Sequence, residues 1–469
     1  MTTVAKQSQL DAPHWQSRLT VLAEKHQVPG ASLGIFRMGA DADRDEIVEA
    51  VHGVLSKDTG IDVTADTAFQ IGSIGKVWTG TVVMQLVEEG KIDLDASVRD
   101  VLPELQLRDQ EATEKVTVRH LLTHTSGIDG DVFTDTGRGD DCLEKYVASL
   151  VDVPQNHPLG VTFSYCNTGF SILGRVIEVI TGQTWDDAMR QRLFQPLGLV
   201  HTTTLPEEAI LGRAAVGHIG EPGEEPRPTP MWIMQRSAGP AGLINSTARE
   251  LCLFARMHLA GGVATDGTRV ISAETTAAMQ RLQTEIPDRH TLGKGWGLSW
   301  ILFDWDGNEL IGHDGSTLGQ SAFLRVLPEA GLVVSLLTNG GNARDLYQAL
   351  YQEVLADVAD VAMPTPLAPP EPAPEVDPAR YVGVYERTSV RTEIFERDGG
   401  LVLQTTATGP LSGADGVNQT HEYDLLPVEK DLFVMKSPAT VTWVPVTFYE
   451  LADGSPYLHY GARANPKQS

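Results

Sequence analysis

The chain has 469 residues, of which 41% are hydrophobic, so it can bury a sizeable core and is not a disordered protein. Its 36 Lys and Arg residues stand against 62 Asp and Glu residues, and the net charge of -26 argues against nucleic acid or an anionic membrane as a partner. The length suggests two or three domains, and the three cysteines match neither a zinc spacing nor a disulfide framework.

The amino-terminal end carries no apolar run of signal-peptide length. No segment of the sequence approaches about 18 uninterrupted apolar residues, so no transmembrane helix is expected. These two observations predict a cytoplasmic protein. A chain from which a signal peptide had been removed would look the same.

The first predicted elements are one helix and two strands. An amphipathic helix is expected near 14–27, ahead of the Pro-Gly pair at 29–30. Strands follow at 31–37 and 46–54, on either side of a turn rich in Asp and Gly. They lead directly to the segment with the first chemical signal.

Ser73 and Lys76 place a hydroxyl and an amine three residues apart. Apolar residues at intervals of three and four follow them and stop at Gly90, which predicts a buried helix with Ser73 at its start. Lys76 then lies on the same face one turn later, where an amine can activate a weak nucleophile. Chance alone supplies roughly one or two Ser-x-x-Lys matches in a chain of this length, so other residues must support the motif.

The pattern from about 116 to 260 is mostly helical. Thr117 is a plausible N-cap for a helix at 118–124, and further helices are expected at 168–181 and 247–259.

Tyr165 and Asn167 stand two residues apart just before the helix at 168–181, so an extended backbone points both side chains to one side. A tyrosine held near a lysine ammonium has a reason to show a lowered pKa and to act as a base. The competing interpretation is an ordinary core tyrosine beside a helix-capping asparagine.

Strand patterns return at 297–303, 321–327 and 332–337, and a helix follows near 343–356. Strands at both ends of this region, with a helical block between them, predict an α+β fold in which helices pack on one antiparallel sheet. The segment Gly312 to Thr317 is rich in glycine, and glycines allow a substrate to approach the backbone closely. A hairpin turn with an exposed His313 explains the same pattern.

The composition changes at 363–378, where seven prolines predict a semi-rigid linker. Short strand patterns and turn signals then fill 379–469, which predicts a small antiparallel barrel or sandwich. We therefore expect a catalytic domain at 1–362, the linker, and a separate β-domain at 379–469.

Three motifs in this order, Ser73-x-x-Lys76, Tyr165-x-Asn167 and His313-x-Gly315, resemble those of the serine β-lactamase and penicillin-binding-protein superfamily. The Tyr-x-Asn and His-x-Gly forms are similar to those of the class C β-lactamase-like branch, which includes some esterases and D-aminopeptidases. Further matches cover Arg119 to Gly127, Gln195 to Gly198 and Ala241 to Leu243. The resemblance runs from about residue 15 to 357. It implies the β-lactamase/transpeptidase-like fold, an antiparallel sheet flanked by helices with an all-helical region.

The resemblance also implies roles for the matching residues. Ser73 corresponds to the nucleophile that forms a covalent acyl-enzyme, and Lys76 and Tyr165 share the proton transfers. Asn167 is expected to hold the substrate amide or the Lys76 side chain. No metal ion and no organic cofactor is needed.

The third motif corresponds to the strand that aligns the substrate in such enzymes. Gly315 and Ser316 are then substrate-binding, and the backbone N–H groups of Ser73 and Ser316 form the expected oxyanion hole. A lysine in place of His313 would supply a permanent cation, whereas a histidine with its reference pKa of about 6.5 is mostly neutral at pH 7. This departure favours an ester, an amide or a D-residue peptide over a β-lactam.

The leading hypothesis is therefore a serine hydrolase that cleaves an ester or amide of a small molecule or peptide. A second hypothesis is an acyl transferase, because penicillin-binding-protein-type thioesterases are similar in their motifs and carry a lipocalin-like carboxy-terminal barrel. A carrier protein would then be a partner. The third hypothesis is a catalytically silent binding or sensing protein on the same fold. The sequence leaves the oligomeric state open.

Other sites have less support. The position two before Ser73 is Ile71, so the Gly-x-Ser-x-Gly elbow of other hydrolases is absent. His120 and His124 lack the adjacent Glu of a zinc protease and are expected to pack inside the fold. The loops 129–142 and 220–238 are expected to shape the pocket.

Overall fold

The structure, a computed structural model, describes residues 10–220, 224–232, 234–388, 390–408, 420–436 and 442–468. Its α-helices, in chain order, are α1 Ala12–Lys25, α2 Gly75–Glu88, α3 Gln110–Lys115, α4 Val118–Leu122, α5 Cys142–Ala148, α6 Asn167–Thr181, α7 Trp185–Met189, α8 Gln195–Leu197, α9 Pro206–Ala209, α10 Gly239–Gly242, α11 Ala248–Leu259, α12 Ala273–Met279 and α13 Ala343–Ala359.

The strands up to the proline-rich segment are β1 Gly30–Arg37, β2 Glu46–Gly53, β3 Phe69–Gln70, β4 His218–Ile219, β5 Arg227–Pro228, β6 Asn245–Ser246, β7 Thr284–Glu285, β8 Gly295–Trp296, β9 Ile301–Trp305, β10 Asn308–Ser316, β11 Ser321–Leu327 and β12 Leu332–Thr338. Those that follow are β13 Gly383–Arg387, β14 Val390–Arg397, β15 Gly400–Ala407, β16 His421–Pro427, β17 Leu432–Lys436, β18 Trp443–Glu450, β19 Pro456–Tyr460 and β20 Arg463–Pro466.

A large antiparallel sheet joins the two ends of the catalytic region. Its strands run in the order β2-β1-β12-β11-β10-β9-β8-β7. Strand β1 therefore pairs with β12, the last strand before the proline-rich segment, and β2 pairs with β1 at the edge of the sheet. Apolar side chains of α1 and α13 pack with the sheet into one core, and those of α2, α6 and α11 form another. This arrangement confirms the predicted α+β fold with an antiparallel sheet and a helical region.

Two predictions about the strands need correction. The predicted strand at 297–303 begins too early, because residues 297–300 turn between β8 and β9 and only residues 301–303 belong to a strand. The glycine-rich segment around His313 lies mostly inside β10, where residues 312–316 pair with β11 and Gly312 also pairs with β9. His313 is 1% exposed, so the interpretation as a hairpin turn with an exposed histidine is wrong.

The carboxy-terminal region forms a nearly closed antiparallel barrel. Strands β13 to β20 pair in sequence order, and a bridge between Tyr385 and Lys467 brings the last strand back to the first. Aromatic and aliphatic side chains, including Phe433 and Phe448, fill its core. The barrel is confirmed, although β14, β16 and β20 were not predicted as strands.

Between the sheet region and the barrel, residues 363–378 form an extended segment whose side chains are largely exposed or half-buried. The domain limits at 362 and 378 stay a prediction. Within the described residues, no helix combines the length and the apolar character that crossing a membrane requires.

Candidate active site

Ser73 lies in a single 3₁₀ turn, Gly72–Ile74, directly before the long buried helix α2. The turn requires Gly72, because its φ is 53° and a side chain there would collide with the backbone of Ser316. The chain thereby presents the half-buried Ser73 hydroxyl at the start of the helix. Sequence reasoning predicted this position.

Lys76 reaches Ser73 from the first turn of α2. Its Nζ lies 2.9 Å from Ser73 Oγ and donates a hydrogen bond to the carbonyl oxygen of Ala241 at 2.6 Å. The short helix α10 supplies that carbonyl, which gives a structural reason for the Ala241 to Leu243 match. The lysine side chain is fully buried. Burial, with a further contribution from the positive charge of Arg463, holds the pKa of Lys76 well below its usual range. A neutral amine in this position can accept the proton of the serine hydroxyl.

Tyr165 stands beside this pair, and its ring centroid lies 4.9 Å from Lys76 Nζ. His124 stacks on the ring at 4.3 Å. The buried hydroxyl makes no hydrogen bond of normal geometry to a described residue, although Ser73 is close enough to lower the pKa of the phenol. Burial outweighs that contribution and raises the pKa of Tyr165 above its usual value. The expectation of a lowered tyrosine pKa is therefore wrong, since the buried lysine is the group with the lowered pKa.

Asn167 begins α6, but the capping group of that helix is the Cys166 side chain, whose Sγ accepts a hydrogen bond from the Gly169 amide. The Asn167 amide Nδ2 donates to Asp131 Oδ1 at 3.3 Å. Among the described residues, the expected hydrogen bond from Asn167 to Lys76 is absent. Asn167 therefore lies at the site with a partner that sequence reasoning did not name.

Gly315 and Ser316 form the opposite wall, at the end of β10. A side chain at Gly315 would lie 1.9 Å from the Ile71 carbonyl oxygen and 3.0 Å from the Ser73 amide nitrogen, so only glycine allows this approach. The backbone of the strand and the backbone of the Ser73 turn are thus in direct contact. The predicted oxyanion donors, the amides of Ser73 and Ser316, belong to these two touching segments.

His313 is buried against the edge of Trp296, with the ring centroids 5.4 Å apart. Its Nδ1 lies 2.7 Å from the carbonyl oxygen of Asp314 and can donate to it. Burial lowers the pKa of His313 to about 3. The side chain is therefore neutral at physiological pH, as expected, but through burial rather than through an ordinary histidine pKa.

A cavity of about 450 Å³ is bordered by six of these residues: Ser73, Tyr165, Asn167, His313, Gly315 and Ser316. The loops 129–142 and 220–238 contribute Phe133 and Met234, as predicted, although residues 221–223 and 233 lie outside the described part of the chain. The barrel also contributes Ala462 and Arg463 to the cavity wall. This contribution could not be predicted from the sequence, because nothing in the local pattern near 462 indicates where the barrel docks.

The remaining rival features are structural. His124 Nδ1 accepts a hydrogen bond from the Cys166 amide, and His120 contacts the N-cap residue Thr117. The tryptophans Trp296, Trp300 and Trp305 are buried and do not border the cavity.

The structure brings together the Ser73 turn, the buried lysine of the helix that follows it and the end of strand β10, an arrangement that the order of the motifs predicts. The fold and the site together define the β-lactamase and penicillin-binding-protein class of serine hydrolases. A family model described as Beta-lactamase matches residues 15–357, and the chain belongs to this family. The match confirms the resemblance seen in the sequence.

Three relatives show how far the similarity extends. "Penicillin-binding protein 4" of Amycolatopsis lactamdurans is 50% identical over 380 residues, which are 80% of this chain and 98% of that protein. The crystal structure of SurE, also solved with D-Leu, is 28% identical with a TM-score of 0.77 and covers 97% of this chain and 99% of its own. A D-stereospecific amidohydrolase from Streptomyces sp. is 26% identical with a TM-score of 0.57, covering 73% of this chain and 99% of its own.

Proposed function

We propose that the protein is a serine hydrolase that forms an acyl-enzyme on Ser73 and cleaves an ester or amide bond. The observation that carries the proposal is the fully buried Lys76, whose Nζ lies 2.9 Å from Ser73 Oγ and whose pKa is well below its usual range. A lysine with a normal pKa would be charged at pH 7 and would be a poor base. This one takes up a proton from the hydroxyl without a further cofactor.

The reaction begins as Ser73 Oγ bonds to the substrate carbonyl carbon and its proton passes to Lys76 Nζ. The backbone amides of Ser73 and Ser316 stabilise the oxyanion, an interaction worth roughly 3–4 kcal/mol per donor in hydrolases. The bond to the leaving amine or alcohol then breaks, and Lys76 returns the proton to it, with the neutral Tyr165 phenol as a relay. Water repeats the sequence on the acyl-enzyme and releases the acid.

The substrate proposed is an amide or ester whose acyl part carries a D-amino acid residue. The neutral His313 supplies no cation at the position where related β-lactam-hydrolysing enzymes carry lysine, which argues against an efficient β-lactamase. A D-stereospecific amidohydrolase and a structure solved with D-Leu are among the similar proteins. Both observations favour D-residue substrates over β-lactams.

The test is a matched substrate panel: the p-nitroanilide and methyl ester of D-Leu and of L-Leu, a cephalosporin and a simple acetate ester. The proposal predicts the highest kcat/KM for a D-Leu derivative. A preference for the cephalosporin by more than tenfold would contradict the substrate assignment. The same panel with Ser73→Ala tests the nucleophile, since any turnover independent of Ser73 must come from another group.

An acyl transferase is the second candidate, favoured by the barrel residues that border the cavity. Barrel residues beside the acyl-enzyme can contact an amine acceptor and so favour it over water. A peptide thioester with a free amino terminus separates the two reactions. Cyclic or aminolysed product identifies a transferase, and hydrolysed product alone identifies a hydrolase.

A further inference from the structure

The hairpin between β19 and β20 carries the barrel into the active site. Its two-residue turn is Gly461 and Ala462, both with positive φ, which is unusual for alanine at 64°. The carbonyl oxygen of Ala462 accepts a hydrogen bond from the Tyr165 amide at 3.0 Å, and the Ala464 amide donates to Ser164 Oγ at 3.2 Å. The hairpin thus holds the backbone of the Tyr165 segment directly.

Side chains at the same contact converge on Asp131. Arg463 binds this carboxylate through two nitrogens, at 3.0 and 2.7 Å, and Arg387 of the barrel binds it at 2.8 Å. Asn167, a candidate site residue, donates to the same carboxylate. Asp131 therefore connects two barrel arginines to the start of α6.

Arg463 is also close to the reacting groups. Its guanidinium carbon lies 5.2 Å from the Tyr165 ring centroid, and its side chain borders the cavity while remaining 21% exposed. After burial, Arg463 is the largest influence that lowers the pKa of Lys76. It lowers the pKa of Tyr165 as well, against the stronger effect of burial.

We propose that Arg463 and Asp131 are positioning residues of the proposed acyl-transfer reaction, which makes the carboxy-terminal barrel an integral part of the active site. Arg463, oriented by Asp131, keeps positive charge off Lys76 and fixes the Tyr165 segment beside Ser73. This inference rests on the proposed function. It also gives the barrel a role that its sequence does not indicate.

The charges around Lys76 support this assignment. The titratable and charged groups that face it or act on its charge are Tyr165, Cys166, His124, His313, Asp131 and Arg463. The histidines have lowered pKa values, through burial above all, and are neutral near pH 7, and burial raises the pKa of the Cys166 thiol to about 12. Arg463 remains a permanent cation in this set. Asp131 acts in the opposite direction on Lys76, but its effect is the smaller one.

The test measures the rate of Ser73 acylation as a function of pH in the full-length protein, with an activated ester as the probe. Arg463→Met removes the charge and keeps much of the side-chain volume. We expect acylation at pH 7 to fall by roughly 10- to 100-fold, a part of what a positioned base contributes. The acidic limb of the profile should move to higher pH, so that the deficit shrinks as the pH rises.

The matched control is Arg397→Met, which removes an exposed arginine of the same barrel that pairs with Glu422 and does not border the cavity. Its profile should coincide with that of the wild type. Arg463→Lys keeps the charge but loses the paired hydrogen bonds. It should leave the acidic limb closer to its wild-type position than Arg463→Met does, even if both variants are less stable.

Two results would overturn the inference: an Arg463→Met profile within twofold of the wild type, or a deficit of the same size at every pH, which would indicate a purely structural role. Failure of the proposed function looks different, because the wild type itself would then show no acylation of Ser73. Comparison of wild type and variant on one probe therefore separates the two failures.

Discussion

Two aspartates flank the pocket, and each is held between two arginines. Asp314 accepts hydrogen bonds from Arg325 at 2.6 Å and Arg344 at 3.0 Å. On the other side Asp131 is held by Arg463 and Arg387. Burial would raise the pKa of both carboxyls, yet the arginines hold both below the usual value.

The two clusters differ in what they join. The Asp314 cluster lies within one body, because β10, β11 and α13 supply its members and the Phe303 ring covers Arg325 at 4.3 Å. The Asp131 cluster joins a loop of the catalytic region to the barrel. Similar ion pairs thus stabilise a core in one cluster and, in the other, connect the β-lactamase-like region to the barrel beside the proposed catalytic residues.

Asp314→Asn should have the largest effect on stability. It leaves Arg325, whose side chain is 2% exposed, as an unpaired charge that water cannot reach. Breaking a buried pair in this way costs about 3–5 kcal/mol. Urea unfolding measures the loss, and a change below about 1 kcal/mol would show that Arg325 finds another partner.

Asp131→Asn should affect activity more than stability. The arginines that it releases are 11% and 21% exposed, so water can rehydrate them more easily than Arg325. We expect a smaller loss of stability than for Asp314→Asn, together with a roughly tenfold or larger loss of kcat/KM, because Asn167 and Arg463 lose their common anchor. If the loss of activity relative to the loss of stability were the same in both variants, the two clusters would not differ in their roles.

Arg344→Ala should have the smallest effect. The Arg344 side chain is 42% exposed, and ion pairs of that kind contribute about 0–1 kcal/mol. Arg325 still pairs with Asp314 in this variant. Urea unfolding of this variant is compared with that of Asp314→Asn. A loss of unfolding free energy above about 2 kcal/mol would mean that the exposed Arg344 stabilises the fold as Arg325 does.

The features that the sequence predicted well are local ones. Ser73 and Lys76 are three residues apart, in a 3₁₀ turn and in the first turn of the helix that follows it, so helical periodicity is sufficient to bring them together. Strand β10 is harder to predict from the sequence. Its glycines and polar residues interrupt the pattern of apolar residues by which a buried strand is recognised. For that reason the local pattern around His313 favours a turn, and only the resemblance of the third motif indicates a strand.

The lowered pKa of Lys76 and the contribution of Arg463 could not be predicted. The first depends on complete burial by residues from many elements. The second depends on how the barrel docks, through contacts between residues far apart in the chain, such as Ser164 and Ala464, which are 300 positions apart. Neither leaves a periodic pattern near the residues concerned.

We propose that Ser73 becomes acylated with Lys76 as its neutral base. The most direct measurement is mass spectrometry of the intact protein and its peptides after rapid mixing with a slowly turned-over ester, across a pH series. We expect one acyl group on the peptide that contains Ser73 and no adduct in Ser73→Ala. The amount of acylated protein should fall as lower pH protonates Lys76. An adduct on another residue, or turnover that persists in Ser73→Ala, would contradict this proposal.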